Sequence, residues 1–296
     1  LVEDALRLAH VRYRKIRVPK RSGGFRTMIQ PSAELKLVQQ WLIFNVLSKL
    51  PISKLATAFH PGASIVKNAT SHKNSLFSVR VDLSNFFPSI KHQDLVKVLS
   101  AVRDVVPYWA DGPAFGQLLA KACFDRNGCL PIGYPTSPCI ANAVMFELDQ
   151  TLEHLIASEE SRFGRSTVTR YADDYLFSTD KRGACKEFVD TLSTVLSKTL
   201  SPKLIINEGK TRLMSRKGGS TLVTGLRITP EGSLRVHPNY RDHVRLLLKL
   251  YSRKKLNIDE IPKLRGHLAF IEYADACLFT RLSFKYYEEI AQLRGR

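Results

Sequence analysis

The sequence predicts an α+β fold, on three observations. Apolar residues recur at helical spacing in some segments and alternate in others, and the two kinds are mixed without strict βαβ alternation. No internal repeat or low-complexity stretch interrupts them.

Taken in order, Ile16 and Val18 alternate with basic residues, Ser22-Gly23-Gly24 turns the chain, and Phe25-Arg26-Thr27 returns it. That pattern predicts a β-hairpin with Lys20, Arg21 and Arg26 around its tip. Leu35, Val38, Leu42 and Val46 form a helical stripe ended by Pro51. Residues 76–83 read as a strand, with Phe77, Val79 and Val81 on one side and Asp82 near its end, before Asn85-Phe86-Phe87-Pro88 breaks the pattern. Residues 93–99 and 115–124 read as helices. Ser137 is a suitable N-cap and Pro138 a suitable first residue for a helix running through Ile140, Val144, Leu148 and Leu152. Residues 168–171 and 175–178 are short strands around Ala172-Asp173-Asp174, which sets both aspartates at a tight turn. A helix over 185–200, a strand over 203–207, a hairpin-like stretch over 221–236 and helices from Tyr240 onward complete the chain.

Composition narrows the class. At 296 residues, 44% hydrophobic and 24% charged, the chain has the make-up of a globular protein with a sizeable core. No apolar run approaches the roughly 18 residues of a membrane span. Residues 1–10 lack the blocks of a secretory leader, and five cysteines without a CxxC pair read as reduced thiols, so a cytoplasmic location is expected. The net charge of +18 calls for a polyanionic partner. Nucleic acid fits best, with an anionic membrane second; no strongly basic amphipathic helix supports the membrane.

Asp173-Asp174 sits among Val168, Tyr171, Tyr175, Leu176 and Phe177. Like charges so close are costly unless cations neutralise them. Asp82 ends another apolar strand, and if the two strands are neighbours the three carboxylates converge. Oxygen-only ligands select Mg²⁺, and a pair of such ions serves in-line displacement at phosphorus. The plainer alternative is an Asp-rich turn and a capping Asp82.

Four segments carry a resemblance that favours the first reading. Tyr171-Ala172-Asp173-Asp174 resembles the YxDD box of reverse transcriptases. Val81-Asp82-Leu83-Ser84-Asn85-Phe86-Phe87-Pro88 resembles their first-aspartate motif. Pro131-Ile132-Gly133-Tyr134-Pro135-Thr136-Ser137-Pro138, with Asn142, resembles PQGxxxSP…N, and Asn207-Glu208-Gly209-Lys210-Thr211 the lysine-bearing segment that follows. Asn68-Ala69-Thr70-Ser71-His72 and Val223-Thr224-Gly225 match the NAxxH and VTG boxes of the retron branch. Ile132 departs from the pattern, standing where the family usually has Gln.

The resemblance implies a right-hand polymerase, with fingers and palm over 1–215 and an RNA-binding helical thumb over 216–296. Asp82 and Asp173, the Leu83 carbonyl and an auxiliary Asp174 would hold two Mg²⁺ ions. Phe87 would exclude a ribose 2′-OH or, alternatively, pack in the core. Lys20 and Arg26 would grip the triphosphate or else touch backbone phosphates, and Pro135 would lie at the nucleotide site. Lys210 would steady the departing pyrophosphate or form a plain salt bridge. Asn68 and His72 would be structural or RNA-contacting. Val223, Thr224 and Gly225, with Arg241, Arg245, Lys249, Arg253, Lys254, Lys255 and Arg265, would bind a structured noncoding RNA. That RNA would be template and primer for dNTP addition from a 2′-OH, giving branched RNA–DNA in an anti-phage system with an effector protein and no membrane partner. An intron-type reverse transcriptase and a non-catalytic RNA-binding scaffold restraining a toxin are the alternatives.

Overall fold

The computed structural model describes residues 13–19, 23–104, 106–107, 110 and 112–295, together with Asp4. The alternation near the start becomes an antiparallel hairpin of β1 (Tyr13–Pro19) and β2 (Phe25–Pro31), with Pro19 opposite Phe25. Lys20 and Arg21, expected at its tip, lie outside the described residues. The base of the hairpin is fastened by the Ile29 amide, which donates to the Ile132 carbonyl at 2.7 Å. Gly133 makes that approach feasible: its φ is +111°, and a Cβ there would lie 2.6 Å from the Ile29 carbonyl oxygen.

Helix α1 (Ala33–Asn45) starts at Ser32, whose hydroxyl accepts from the Leu35 amide, and it buries Leu35, Gln39 and Leu42. The short α2 (Ile65–Ser71) precedes the central strand β3 (Phe77–Ser84), and α3 (Phe86–Ser89), α4 (His92–Ala101) and α5 (Pro113–Cys123) follow it. The single helix predicted through Ile140 and Leu152 is interrupted at Met145, giving α6 (Ser137–Val144) and α7 (Phe146–Ser158). Thr136, not Ser137, takes the N-cap position of α6. The Ser137 hydroxyl donates to the Pro131 carbonyl at 2.6 Å and is committed to the preceding loop.

After α8 (Glu160–Phe163) come β4 (Ser166–Tyr171), β5 (Asp174–Thr179), α9 (Ala184–Lys198) and β6 (Ile205–Ser215). These strands and β3 form a four-stranded antiparallel sheet in the order β4-β5-β3-β6. Strand alternation divides its faces. Val79, Val81, Leu83, Tyr175 and Phe177 enter the main core, where Phe177 stacks on Phe188 of α9 at 4.5 Å between ring centres. Each such fully buried apolar side chain contributes roughly 1.5–3 kcal/mol before chain entropy is subtracted. Ser78, Arg80 and Asp82 line the other face, with Leu176 and Ser178 beside them.

The C-terminal part is a three-stranded antiparallel sheet, β7 (Thr221–Val223), β8 (Leu226–Ile228) and β9 (Leu234–Val236), followed by α10 (Pro238–Ser252), α11 (Ile261–Ala274), α12 (Ala276–Lys285) and α13 (Tyr287–Leu293). It has its own apolar cluster, including Val223, Leu226, Val244, Leu248, Leu264 and Ile271, which Ala69 of α2 and Leu176 of β5 join. Among the described residues no helix is long and apolar enough to cross a membrane.

Candidate active site

Asp82 and Asp174 face each other directly in the β3–β5 register. Tyr171 pairs with Asp174, so Ala172 and Asp173 form the two-residue turn between β4 and β5. The Leu83 amide donates to the Asp173 carbonyl at 2.9 Å, which fastens this turn to the end of the central strand. Acidic side chains far apart in sequence thus lie at one end of one strand pair.

Burial makes this expensive. It pushes the Asp174 carboxyl up to about 6; Arg80 pulls it back, while Asp173 and Asp82 add to the rise. The Asp173 carboxyl is also raised, first by burial, against a hydrogen bond from its own backbone, with Asp82 raising it further and Arg26 and Lys210 opposing. Arg26, exposed on β2, therefore acts on the same cluster.

Lys210 reaches the cluster through an irregularity in β6. Arg80 pairs with Arg212 and Asp82 with Asn207, so Glu208, Gly209, Lys210 and Thr211 all stand opposite Val81. The displaced stretch carries the Lys210 amine to 2.8 Å from the Asp82 Oδ1. Arg80, which motif reading missed, lies 3.8 Å from Asp174, too far for a hydrogen bond, and the buried Asp174 Oδ1 is left without a donor. In this arrangement, among the described residues, no three His, Cys, Asp or Glu side chains are gathered closely enough to hold a metal ion together. The donor set still suits one: the carboxylates and the Leu83 carbonyl are hard oxygen ligands, and a buried carboxylate oxygen lacking a donor is a ready acceptor for a cation.

Lys36, Phe87, Ile132, Gly133, Tyr134 and Pro135 line a cleft of about 280 Å³. Phe86 is buried in the core, whereas Phe87 is only half-buried and meets it edge-on at 5.3 Å. Lys36 is exposed on α1 and belongs to none of the motifs.

Asn68 and His72 are 1% and 2% exposed, and of the two readings left open for them this supports the structural one. Asn68 lies in α2 and His72 caps its C-terminal end one helical turn later, and the two meet β4 and β5. The Thr169 hydroxyl donates to the Asn68 Oδ1 at 2.7 Å, so its remaining partner, His72 Nε2 at 2.8 Å, must be the donor. His72 Nδ1 then accepts from the Ser178 hydroxyl at 2.7 Å. Burial pulls the His72 pKa down to about 3, which keeps the ring neutral, as this chain of bonds requires. The reading of Asn68 and His72 as RNA contacts is thereby corrected.

The other end of α2 holds the second box. Thr224 and Gly225 form a two-residue hairpin turn with φ of +45° and +87°, the left-handed pair of a type I′ turn. A β-branched residue is rarely found there, and the Thr224 hydroxyl donates to the Ile65 carbonyl at 3.2 Å. Val223 is buried in the C-terminal cluster, which removes its side chain from the set of RNA contacts. Arg245, Lys249, Arg253, Lys254, Lys255 and Arg265 are exposed, and Arg241 is half-buried; Arg241 and Arg245 share Asp242.

The pairing of Asp82 with Asp174 on one strand pair, with the Asp173 turn fastened to Leu83, is the arrangement of a nucleic-acid polymerase palm. The family model for reverse transcriptase (RNA-dependent DNA polymerase) matches residues 18–255, and the chain belongs to that family. It is an RNA-directed DNA polymerase of retron type with the right-hand fold. It is 38% identical to the Retron Ec73 reverse transcriptase of Escherichia coli, over 94% of this chain and 88% of that one. It is 29% identical to the Retron Ec83 reverse transcriptase of the same species, over 93% and 87%. In fold it resembles the apo telomerase of Candida tropicalis, with a TM-score of 0.54 at 10% identity, covering 95% of this chain and 58% of that one.

Proposed function

We propose that this enzyme copies a dedicated structured noncoding RNA into single-stranded DNA, starting from a 2′-OH of that RNA and leaving a branched RNA–DNA. The observation that supports this most is the register pairing of Asp82 with Asp174, with the Asp173 turn clasped to Leu83. Residues 1–215 serve as fingers and palm and 216–296 as thumb. Asp82, Asp173 and the Leu83 carbonyl, with Asp174 auxiliary, would hold two Mg²⁺. Those ions, when bound, lower the pKa of the attacking hydroxyl and steady charge on the phosphate.

The hydroxyl gives up its proton to solvent water, its oxygen bonds to the α-phosphorus of a dNTP, the bond from that phosphorus to the pyrophosphate oxygen breaks, and pyrophosphate leaves. Arg26, with Lys20, is assigned the triphosphate, and Lys210 the charge of the departing pyrophosphate. Phe87 and Pro135 form the wall beneath the sugar and base. Thr224 and Gly225, with Arg241, Arg245, Lys249, Arg253, Lys254, Lys255 and Arg265, are assigned to the RNA, whose phosphates the Arg and Lys side chains match in charge. The described cysteines are all unpaired, in keeping with a cytoplasmic enzyme. An anti-phage role with an effector protein completes the reading.

Purifying the enzyme from its host and sequencing the bound nucleic acid tests it. One structured RNA joined through a 2′ linkage to DNA is expected; a heterogeneous mixture of cellular RNAs would count against the retron reading.

The acidic cluster also predicts a pH-dependent response to metal. A folded-state pKa raised from 3.8 to about 6 means Asp174 favours the folded state below about pH 4, and loses that contribution as pH rises through about 6. With a third of its side chain exposed, the loss is discounted to about 1 kcal/mol. Added Mg²⁺ should therefore raise Tm more at about pH 7.5 than at about pH 5. Equal shifts at both pH values, measured by calorimetry, would contradict this.

A further inference from the structure

The turn that carries Asp173 is strained. Ala172 has φ of +58°, a region that L-residues with a Cβ enter at a cost of order 1 kcal/mol and keep only where the surroundings hold them. Behind the turn lies Arg170, one of the largest fully buried side chains of the protein. Its Nε donates to the Asp149 carboxylate at 2.9 and 3.0 Å, and its Nη2 does so at 2.7 Å. Its Nη1 donates to the Ala172 carbonyl at 3.2 Å and to the Asn142 Oδ1 at 3.3 Å. Asn142 is fixed in turn by donating to the Ala58 carbonyl at 2.9 Å, and Tyr175 donates its hydroxyl to Asp149 at 2.5 Å.

The Arg170 backbone is held as firmly. Its amide donates to the Leu55 carbonyl at 2.6 Å, and its carbonyl accepts from the Thr57 amide at 2.8 Å. Both charges are wholly buried. A buried ion pair gives little net stability over apolar side chains of similar volume, because each ion must be stripped of water. Stability alone is therefore a weak reason for it, while a rigid, planar, multi-donor group beside a strained catalytic turn has an evident use.

We propose that Arg170, oriented by Asp149, Tyr175 and Asn142, is the positioning residue of the catalytic turn, holding the Ala172 carbonyl so that the Asp173 carboxylate is presented to the cation site. It touches no substrate and acts through the backbone of the turn. This rests on the reading of Asp173 as a metal ligand.

The test is primer extension on an RNA template with dNTPs and Mg²⁺, together with thermal melting of the same full-length preparations. The double variant Arg170→Met with Asp149→Leu replaces the ion pair by apolar groups but strands the buried Tyr175 hydroxyl, so it is expected to melt below the parent while remaining folded at the assay temperature. Its kcat should fall at least tenfold, its KM for dNTP should stay within about twofold, and its half-saturating Mg²⁺ concentration should rise. Arg170→Lys keeps the charge facing Asp149, but an ammonium cannot also span to the Ala172 carbonyl, so the same kcat loss is expected. A folded variant of either kind with kcat within twofold of the parent overturns the proposal. If neither variant folds, the pair is structural and the proposal falls as well. Asp173→Asn in the same assay separates the two readings. Activity persisting there removes the catalytic assignment itself, whereas loss there with intact Arg170 variants removes only this inference.

Discussion

Asp82→Asn and Asp173→Asn should each lower primer extension by about 10³-fold or more, equivalent to about 4 kcal/mol of transition-state stabilisation, with the protein still folded. Amide for carboxylate preserves shape and removes the charge that a divalent cation needs. Folding should survive because these carboxyls are a burden to the fold: burial and mutual repulsion raise Asp173 and Asp174, and removing one charge relieves the others. Asp82→Asn also releases Lys210, which is half-exposed and can turn to water. Asp174→Asn should cost less activity, since that carboxylate leans toward Arg80 and is assigned an auxiliary part. Single-nucleotide incorporation rates and melting curves on the same preparations check both halves. Residual activity above a tenth of the parent in Asp82→Asn would remove it as a main metal ligand.

What could be read from the sequence depended on whether a residue's use shows in its own neighbourhood. Asp82 and Asp173 were legible because acids ending apolar strands contradict the surrounding pattern. The β3 and β5 strands themselves were legible from alternation of Val79 and Val81, and of Tyr175 and Phe177. Arg170 was not: an Arg between Thr169 and Tyr171 looks like an outward-facing strand residue, and its burial depends on Asp149 arriving from α7. Asn68 and His72 show their helical spacing locally, but their partners Thr169 and Ser178 are ordinary hydroxyl residues about a hundred positions away. The strand expected over 203–207 runs on to Ser215, because Glu208, Gly209 and Lys210 are displaced from the ladder and break the alternation that marks a strand. That displacement is also what brings Lys210 to Asp82, so the least legible strand holds a contact of the candidate site.

Phe87→Ala should weaken discrimination against ribonucleotides by about 10²-fold, the scale on which steric exclusion of one hydroxyl acts in an apolar pocket. The ring is half-buried, braced edge-on by Phe86 at 5.3 Å and near Phe59 at 6.3 Å between centres, and it forms one wall of the cleft shared with Ile132 and Pro135. A braced ring cannot yield to a 2′-hydroxyl, whereas an Ala methyl leaves room for one. Because only part of the ring is buried, the variant should lose less than the roughly 3–5 kcal/mol of a fully buried Phe→Ala change, and dNTP incorporation should persist. Phe86→Ala is the matching control: that neighbour is buried in the core, so its loss should lower Tm strongly, and by loosening the brace it should weaken sugar selectivity less than loss of the Phe87 ring itself. The measurement is the ratio of kcat/KM for a dNTP and its rNTP opposite one template base. If Phe87→Ala lowers Tm and leaves the ratio unchanged, the ring is a packing residue. The sugar must then be read elsewhere along the cleft.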